Sequence, residues 1–297
     1  MSGFREWDQL SHAEEWIIFP ENVGPKLSLD EVAITNGELY TIITNKQAKS
    51  RKGALVAMIH GTKSSEIAPI LAKIPAETRE MVKEITLDMA GSMDAISQNA
   101  FPQAIQVTDR FHVQQLVGEA VQEIRMGLRK QAMKEENEAI KKAREEKRRY
   151  RPVEYENGDT KKQLLARSRY LLFKTRNKWY PQQQTRAAIL FREYPEMEKA
   201  YNLSILFRSF YESKNIEEAK NRLDKWYLKM EKENIDSFAI AVETIRLHET
   251  TILNYFNHRS TNASAESFNA KLKGFRSVVR GVTDNEFFIF RIAKLYA

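Results

Sequence analysis

The stretch KLSLDEVAITNGELYTIIT, residues 26–44, decides the fold of this chain. KLSLDEVAI reads as a short strand that ends at Thr35-Asn36-Gly37-Glu38. Asn-Gly is the strongest two-residue hairpin signal, because both turn positions take positive φ. Residues 39–44, LYTIIT, then form the return strand. A polar basic loop, NKQAKSRKG, leads to a third strand at 54–60, ALVAMIH, so the first three strands are expected as an antiparallel meander.

Downstream the texture changes. Residues from 64 to about 83 read as helix with a break at Pro75, and 82–88, VKEITLD, as a fourth strand. MDAISQNAF is a short helix stopped by Pro102, and 104–109, AIQVTD, is a fifth strand. Strands alternating with helices imply parallel pairing through right-handed crossovers. The expected fold class is therefore α/β, an RNase H-like five-stranded mixed sheet interrupted by a large all-helical insertion. From 113 to about 256 the chain reads as helical, with Val113, Leu116, Val117, Ala120, Val121, Ile124 and Leu128 at helical spacing. KEENEAIKKAREEKRR, of mixed sign, reads as an exposed, salt-bridged helix. Ile216, Ala219, Leu223, Trp226, Tyr227 and Met230 mark the apolar face of a later one. The expected division is a lead segment at 1–26, the first part of the core at 27–112, a helical insertion at 113–256, and the closing catalytic helix and tail at 257–297.

Composition bounds the partners. The chain has 297 residues and a formal net charge of +7, a basic balance that points weakly to a polyanion such as nucleic acid. With no cysteine, disulfides, Cys nucleophiles and Cys-ligated zinc are excluded for these residues. MSGFREWDQLSHAEEW carries acids and no apolar run, so it does not read as a signal peptide. No stretch approaches the roughly 18 apolar residues that span a membrane.

Asp30 interrupts an apolar strand, where Asp is depleted. Asp88 ends a strand where a helix begins. The first and fourth strands of an RNase H-like sheet are parallel neighbours, and two carboxylates side by side are unfavourable without a cation. Magnesium prefers oxygen ligands, and two such ions about 3.5–4 Å apart can drive phosphodiester displacement. A third carboxylate from a helix would complete the cage. In NASAESFNAKLKGFRS, Asn262, Glu266, Asn269 and Lys273 share one helical face, and Phe268, Leu272 and Phe275 another that can pack on a sheet. Glu266 is thus the third candidate. Taken singly, Asp88 also fits a helix N-cap, Asp30 an ordinary strand-end residue and Glu266 a solvent-facing one.

Leu29-Asp30-Glu31, Tyr40-Thr41, Ile85-Thr86-Leu87-Asp88-Met89, Phe101-Pro102-Gln103-Ala104 and Val107-Thr108-Asp109-Arg110-Phe111-His112-Val113 together resemble the DDE transposases of the ISL branch of insertion sequences, relatives of the Mutator-like group. Residues 262–273 resemble that family's final Glu helix, and the nearest resemblance is to ISAon-type transposases. The resemblance implies Asp30, Asp88 and Glu266 as catalytic, metal-holding carboxylates with two Mg2+ or Mn2+ ions. It implies supporting roles for Asp109 and His112, with Asn262 and Asn269 beside them on the Glu helix. The alternative assignment makes Asp109 the second carboxylate and Asp88 a helix cap. Single-frame family members carry an N-terminal zinc segment and helix-turn-helix, so a separate DNA-recognition protein is expected here.

KKQLLARSRYLLFKTRNK interleaves Lys161, Lys162, Arg167, Arg169, Lys174, Arg176 and Lys178 with Leu, Tyr and Phe. Read as a basic helix, it is the first candidate surface for double-stranded DNA, at element ends and target alike. Such phosphate contact is sequence-independent and salt-sensitive. Lys271, Lys273, Arg276 and Arg280 follow Glu266 and are expected to steer a strand toward the metal site. The function expected is metal-dependent cleavage and strand transfer of an insertion sequence, by a homo-oligomer on DNA in the cytoplasm. The competing readings are an RNase H-like nuclease or resolvase, and a non-catalytic DNA-binding derivative.

Overall fold

The computed structural model of the protein describes residues 3–35, 37–279 and 284–297. Among them the chain forms one mixed sheet of strands β1 (Trp16–Ile18), β2 (Lys26–Thr35), β3 (Glu38–Asn45), β4 (Leu55–His60), β5 (Glu84–Leu87) and β6 (Ile105–Thr108). Helices α1 (Ser64–Leu71) and α2 (Ala76–Glu80) join β4 to β5, and α3 (Gly91–Ala100) joins β5 to β6. Then come α4 (Arg110–Glu145), α5 (Lys161–Arg167), α6 (Pro181–Glu193), α7 (Pro195–Phe210), α8 (Ile216–Glu233) and α9 (Ala239–Leu247). The chain closes with α10 (Glu249–Leu253), α11 (Tyr255–His258), α12 (Ala263–Val278) and α13 (Asn285–Tyr296).

The strand order is β1-β4-β3-β2-β5-β6. β1 to β4 pair antiparallel, and β2, β5 and β6 pair parallel. The sheet has six strands where five are expected. The extra one, Trp-Ile-Ile on the edge beside β4, is too short to show a period and lies inside the expected lead segment. The Asn-Gly turn falls partly on Asn36, outside the described residues, while Gly37 has φ +86° and Thr35 pairs with Glu38. Pro75 stands at the N-cap of α2, where a fixed φ and a missing N–H cost nothing.

The chain separates into two compact units, Met1–His112 with His248–Ala297, and Val113–Leu247. In the first, strand alternation decides which helices cover which face. Leu27 and Leu29 of β2, with Ile85 and Leu87 of β5, pack with Ile67 and Leu71 of α1 and Met93 and Ile96 of α3. Val32, Ile42 and Met58 point the other way and pack with Phe268 and Leu272 of α12 and Phe288, Ile289 and Ile292 of α13. Asp30 is opposite Ile42 across the β2–β3 ladder, so it opens toward the α12 face.

The second unit is helical. Trp226 is fully buried against Phe207, their ring centroids 4.8 Å apart, and its indole N–H donates to the Leu203 carbonyl at 3.1 Å. Ala219, Leu223, Tyr227 and Met230 are buried with it, while Ile216, the first residue of α8, is exposed. The expected basic helix at 161–178 is not one helix. α5 ends at Arg167, where the Ser168 hydroxyl donates back to the Leu164 carbonyl at 2.6 Å, and two short 3₁₀ turns follow.

Candidate active site

The site lies in the first unit, on the middle of β2 and just past the ends of the neighbouring strands β5 and β6. Lys26, Leu27 and Ser28 of β2 pair with Glu84, Ile85 and Thr86 of β5, and Leu87 of β5 pairs with Thr108 of β6. Two residues past Ser28 and Thr86 come Asp30 and Asp88. One past Thr108 comes Asp109, whose N–H donates to the Leu87 carbonyl at 2.9 Å. Residues level across parallel strands face the same side, so the register, continued past the last paired residues, brings the three aspartates to one side of the sheet.

Their environments differ. Asp30 accepts from the Glu31 N–H at 2.9 Å and from the Asn269 side-chain amide at 2.8 Å. Asp88 accepts from the Ala90 N–H at 2.9 Å, closing a turn that leads into α3. Asp109 is 2% exposed, and its Oδ1 is met by the Asn262 N–H at 3.4 Å. Asp109 Oδ2, Asn262 Oδ1 and Asn269 Oδ1 are buried with no hydrogen-bond partner. Buried acceptors left open are costly and mark a place built for a donor or a cation.

Electrostatics ties the group together. The Asp30 carboxyl is pushed up to about 6, first by burial, and further by the charges of Asp88 and Asp109. The Glu31 N–H and the charge of His112 pull it the other way. Asp30, Asp88, Asp109 and His112 are thus brought together. Glu266 is exposed and not among the groups that act on Asp30, but it lies on α12 between Asn262 and Asn269, which both reach the aspartates.

The α12 helix is held in place by more than its apolar face. Lys49 and Ser50 are both left-handed, at φ 50° and 57°, an unusual conformation for non-glycine residues. That turn lets the Ser50 hydroxyl donate to the Ser264 carbonyl at 2.7 Å, and lets Lys271 reach the Ser50 carbonyl at 2.6 Å. Lys271 is therefore occupied, Lys273 is exposed, Arg276 stacks 4.8 Å over Phe288, and Arg280 falls outside the described residues.

Beneath the aspartates is a buried polar layer that sequence reasoning missed. Glu84, 4% exposed, accepts from Ser260 and faces Lys46 at 3.8 Å and Lys26 at 3.6 Å. Lys46 also donates to the Thr86 hydroxyl at 2.6 Å. Burial pulls the Lys46 ammonium down, and the charges of Glu84 and Asp109 hold it up. On α3, Asp94 faces His248 at 3.6 Å, and burial raises its carboxyl despite that partner. The one signal in the sequence was a charge inside a strand, Glu84 in VKEITLD. Lys46, Ser260 and His248 sit in unremarkable surroundings.

On the second unit, most of the expected DNA-contacting charges are already paired. Lys161 meets Glu135 at 2.6 Å, Lys162 meets Glu136, Arg167 meets Asp159, and Arg176 meets Glu198 at 2.7 Å. Among the described residues, Arg169, Lys174 and Lys178 have no ion-pair partner.

Among the described residues no three His, Asp or Glu side chains close around a common point in the way a bound ion requires. The donor set nevertheless suits a hard divalent cation: carboxylates on one sheet edge, one of them desolvated, beside buried open oxygens.

An Asp30→Asn chain should be more stable than the parent when both are free of metal. A raised carboxyl pKa favours the neutral form in the folded state, so parent stability falls as pH rises from about 4 to about 6 and stays low above that. The amide removes that cost, worth roughly 1–3 kcal/mol. Thermal melts in a chelator at pH 7.5 should show the variant melting several degrees higher, and the gap should close near pH 4. A lower melting temperature for the variant at pH 7.5 would refute this account of Asp30.

A transposase family, the DDE_Tnp_ISL3 model described as "Transposase", matches residues 27–292. The chain belongs to this family. Two curated relatives, each a "Transposase for insertion sequence element IS1557" and each from a strain of Mycobacterium tuberculosis (CDC 1551 and H37Rv), are 23% identical over 263 residues. The aligned region covers 85% of this chain and 57% of theirs, so the chain spans little more than half the length of those relatives. No solved structure matches the chain. No helix among the described residues is long and apolar enough to cross a membrane.

Proposed function

We propose that the chain carries the catalytic centre of an insertion-sequence transposase, with an RNase H-like sheet and a DDE mechanism. The observation that carries this reading is the group of aspartates on β2 and just past β5 and β6, beside open buried oxygens. Family membership supports it. Asp30, Asp88 and Glu266 hold two divalent ions, and Asp109 and His112 support them. Magnesium or manganese bound there supplies charge to the scissile phosphate and activates the attacking oxygen. Asn269 fixes the orientation of Asp30 by donating to its Oδ2, and the Asn262 N–H does the same for Asp109. Burial of Asp30 and Asp109 keeps bulk water from competing for their oxygens.

Two in-line displacements follow without a covalent enzyme intermediate. Water first breaks the P–O3′ bond at the element end, leaving a 5′-phosphate on the flanking strand. The freed 3′-hydroxyl then attacks a target phosphodiester, joining to its phosphorus as the target P–O3′ bond breaks and a target 3′-hydroxyl leaves. The substrate is double-stranded DNA at element ends and target. The chain works on DNA in the cytoplasm as a homo-oligomer. Sequence recognition of the ends is assigned to a separate protein, because phosphate contacts from unpaired Lys and Arg carry no base information.

The test is joining. A pre-cleaved duplex with a 3′-hydroxyl end, incubated with the protein, Mg2+ and a supercoiled plasmid, should become covalently attached to it. Cleavage of an intact end without any joining would favour a nuclease or resolvase instead.

A further inference from the structure

Residues 169–180 remain basic after internal pairing is counted, and they are unusually aromatic at the surface. Tyr170 is 68% exposed and Tyr180 69% exposed. A cation lies over each ring: Arg169 at 5.4 Å from the Tyr170 centroid, and Lys174 at 5.0 Å from that of Tyr180. Neither cation has a carboxylate partner among the described residues, and nor does Lys178. Behind Arg169 the charge grows, because Arg125 lies near enough to feel the charges of both Arg169 and Arg129. Arg129 Nε is buried and has no acceptor. The neighbouring carboxylates that neutralise Lys161, Lys162, Arg167 and Arg176 do nothing for this group.

Both rings keep most of their surface open to solvent. A duplex offers them little, since its bases are already stacked and its outer surface is phosphate. Unpaired nucleotides offer a π-face for each ring and a phosphate for each cation.

We propose that residues 169–180 form a binding site for unpaired nucleotides, with Tyr170 and Tyr180 stacking bases and Arg169, Lys174 and Lys178 holding the intervening phosphates. This rests on the assignment of DNA as substrate and adds to it a preference for a melted or single-stranded segment.

The experiment uses the full chain in a chelator, so no cleavage occurs. Fluorescence anisotropy compares a labelled twelve-nucleotide thymidine strand with a duplex of equal length. The Tyr170→Ala/Tyr180→Ala protein should bind the single strand at least about tenfold more weakly, with duplex affinity within about threefold. Tyr170→Phe/Tyr180→Phe should bind like the parent, because stacking needs the ring and not the hydroxyl. Arg169→Gln/Lys174→Gln/Lys178→Gln should flatten the salt dependence of single-strand binding by about 2 in log–log slope. Equal losses on both DNAs, or unchanged single-strand affinity in the alanine protein, would overturn the inference. A parent chain that binds neither DNA would overturn it too. Tyrosine-dependent single-strand binding by a chain that, in the separate Mg2+ joining assay, neither cleaves nor joins an element end would support the inference while counting against the catalytic reading.

Discussion

Asp88→Ala should lower metal-dependent cleavage of an element end by on the order of 10³-fold or more. A carboxylate that holds the ion contributes several kcal/mol to the transition state, and each 1.36 kcal/mol is a factor of ten. Asp30→Ala and Glu266→Ala should fall as far. Asp109→Ala, as a supporting residue, should lose only about 10–100-fold. The measurement is single-turnover cleavage with excess protein, alongside a thermal melt of each variant. Glu266 is exposed, so its alanine protein should melt like the parent. Asp88→Ala forfeits one bond to the Ala90 N–H, a loss of about 1 kcal/mol. The aspartates' equal level makes the comparison sharp. A fully active Asp88→Ala protein beside a dead Asp109→Ala protein would transfer the second catalytic role to Asp109.

Glu84→Ala should destabilise the protein by about 3–5 kcal/mol, the usual cost of stranding one member of a buried ion pair. Lys46, largely buried, would lose its carboxylate partner, and the Ser260 hydroxyl would lose its acceptor. The double variant Lys46→Met/Glu84→Leu should recover most of that loss, because it removes both charges at similar volume. Urea denaturation of the three proteins decides this. A single variant as stable as the parent would show that the layer contributes little. The double variant also separates fold from chemistry: if its stability returns but cleavage does not, the buried charges bear on the site as well as on the fold.

Where the candidate residues lie was largely legible, because their placement is written in local pattern. The alternation in β2 sends Leu27 and Leu29 to one face and Asp30 to the other, and a reader of the sequence can count that. Asp88 and Asp109 each follow a short apolar strand. In α12 the polar and aromatic faces separate at helical spacing, and Phe268 and Leu272 are buried as that spacing requires. What the pattern could not give was level. That Asp109 stands beside Asp88, rather than a turn above or below it, depends on how β5 and β6 register, which no single strand encodes.

The basic stretch shows the opposite outcome. From residue types alone, 161–178 reads as one cationic helix with seven available charges. Four are neutralised by carboxylates, three of them on other helices, such as Glu135, which is 26 residues from Lys161. Glu84, Lys46 and Ser260 lie on β5, after β3 and before α12, and meet only in the folded chain. By itself the sequence determined the strongly periodic features: the longer strands, the amphipathic helix faces, and carboxylates in or just past apolar strands. Only the tertiary structure decided which charges survive pairing and which acids share a level. Periodicity is set by neighbours along the chain, whereas ion pairing and register are set by neighbours across it.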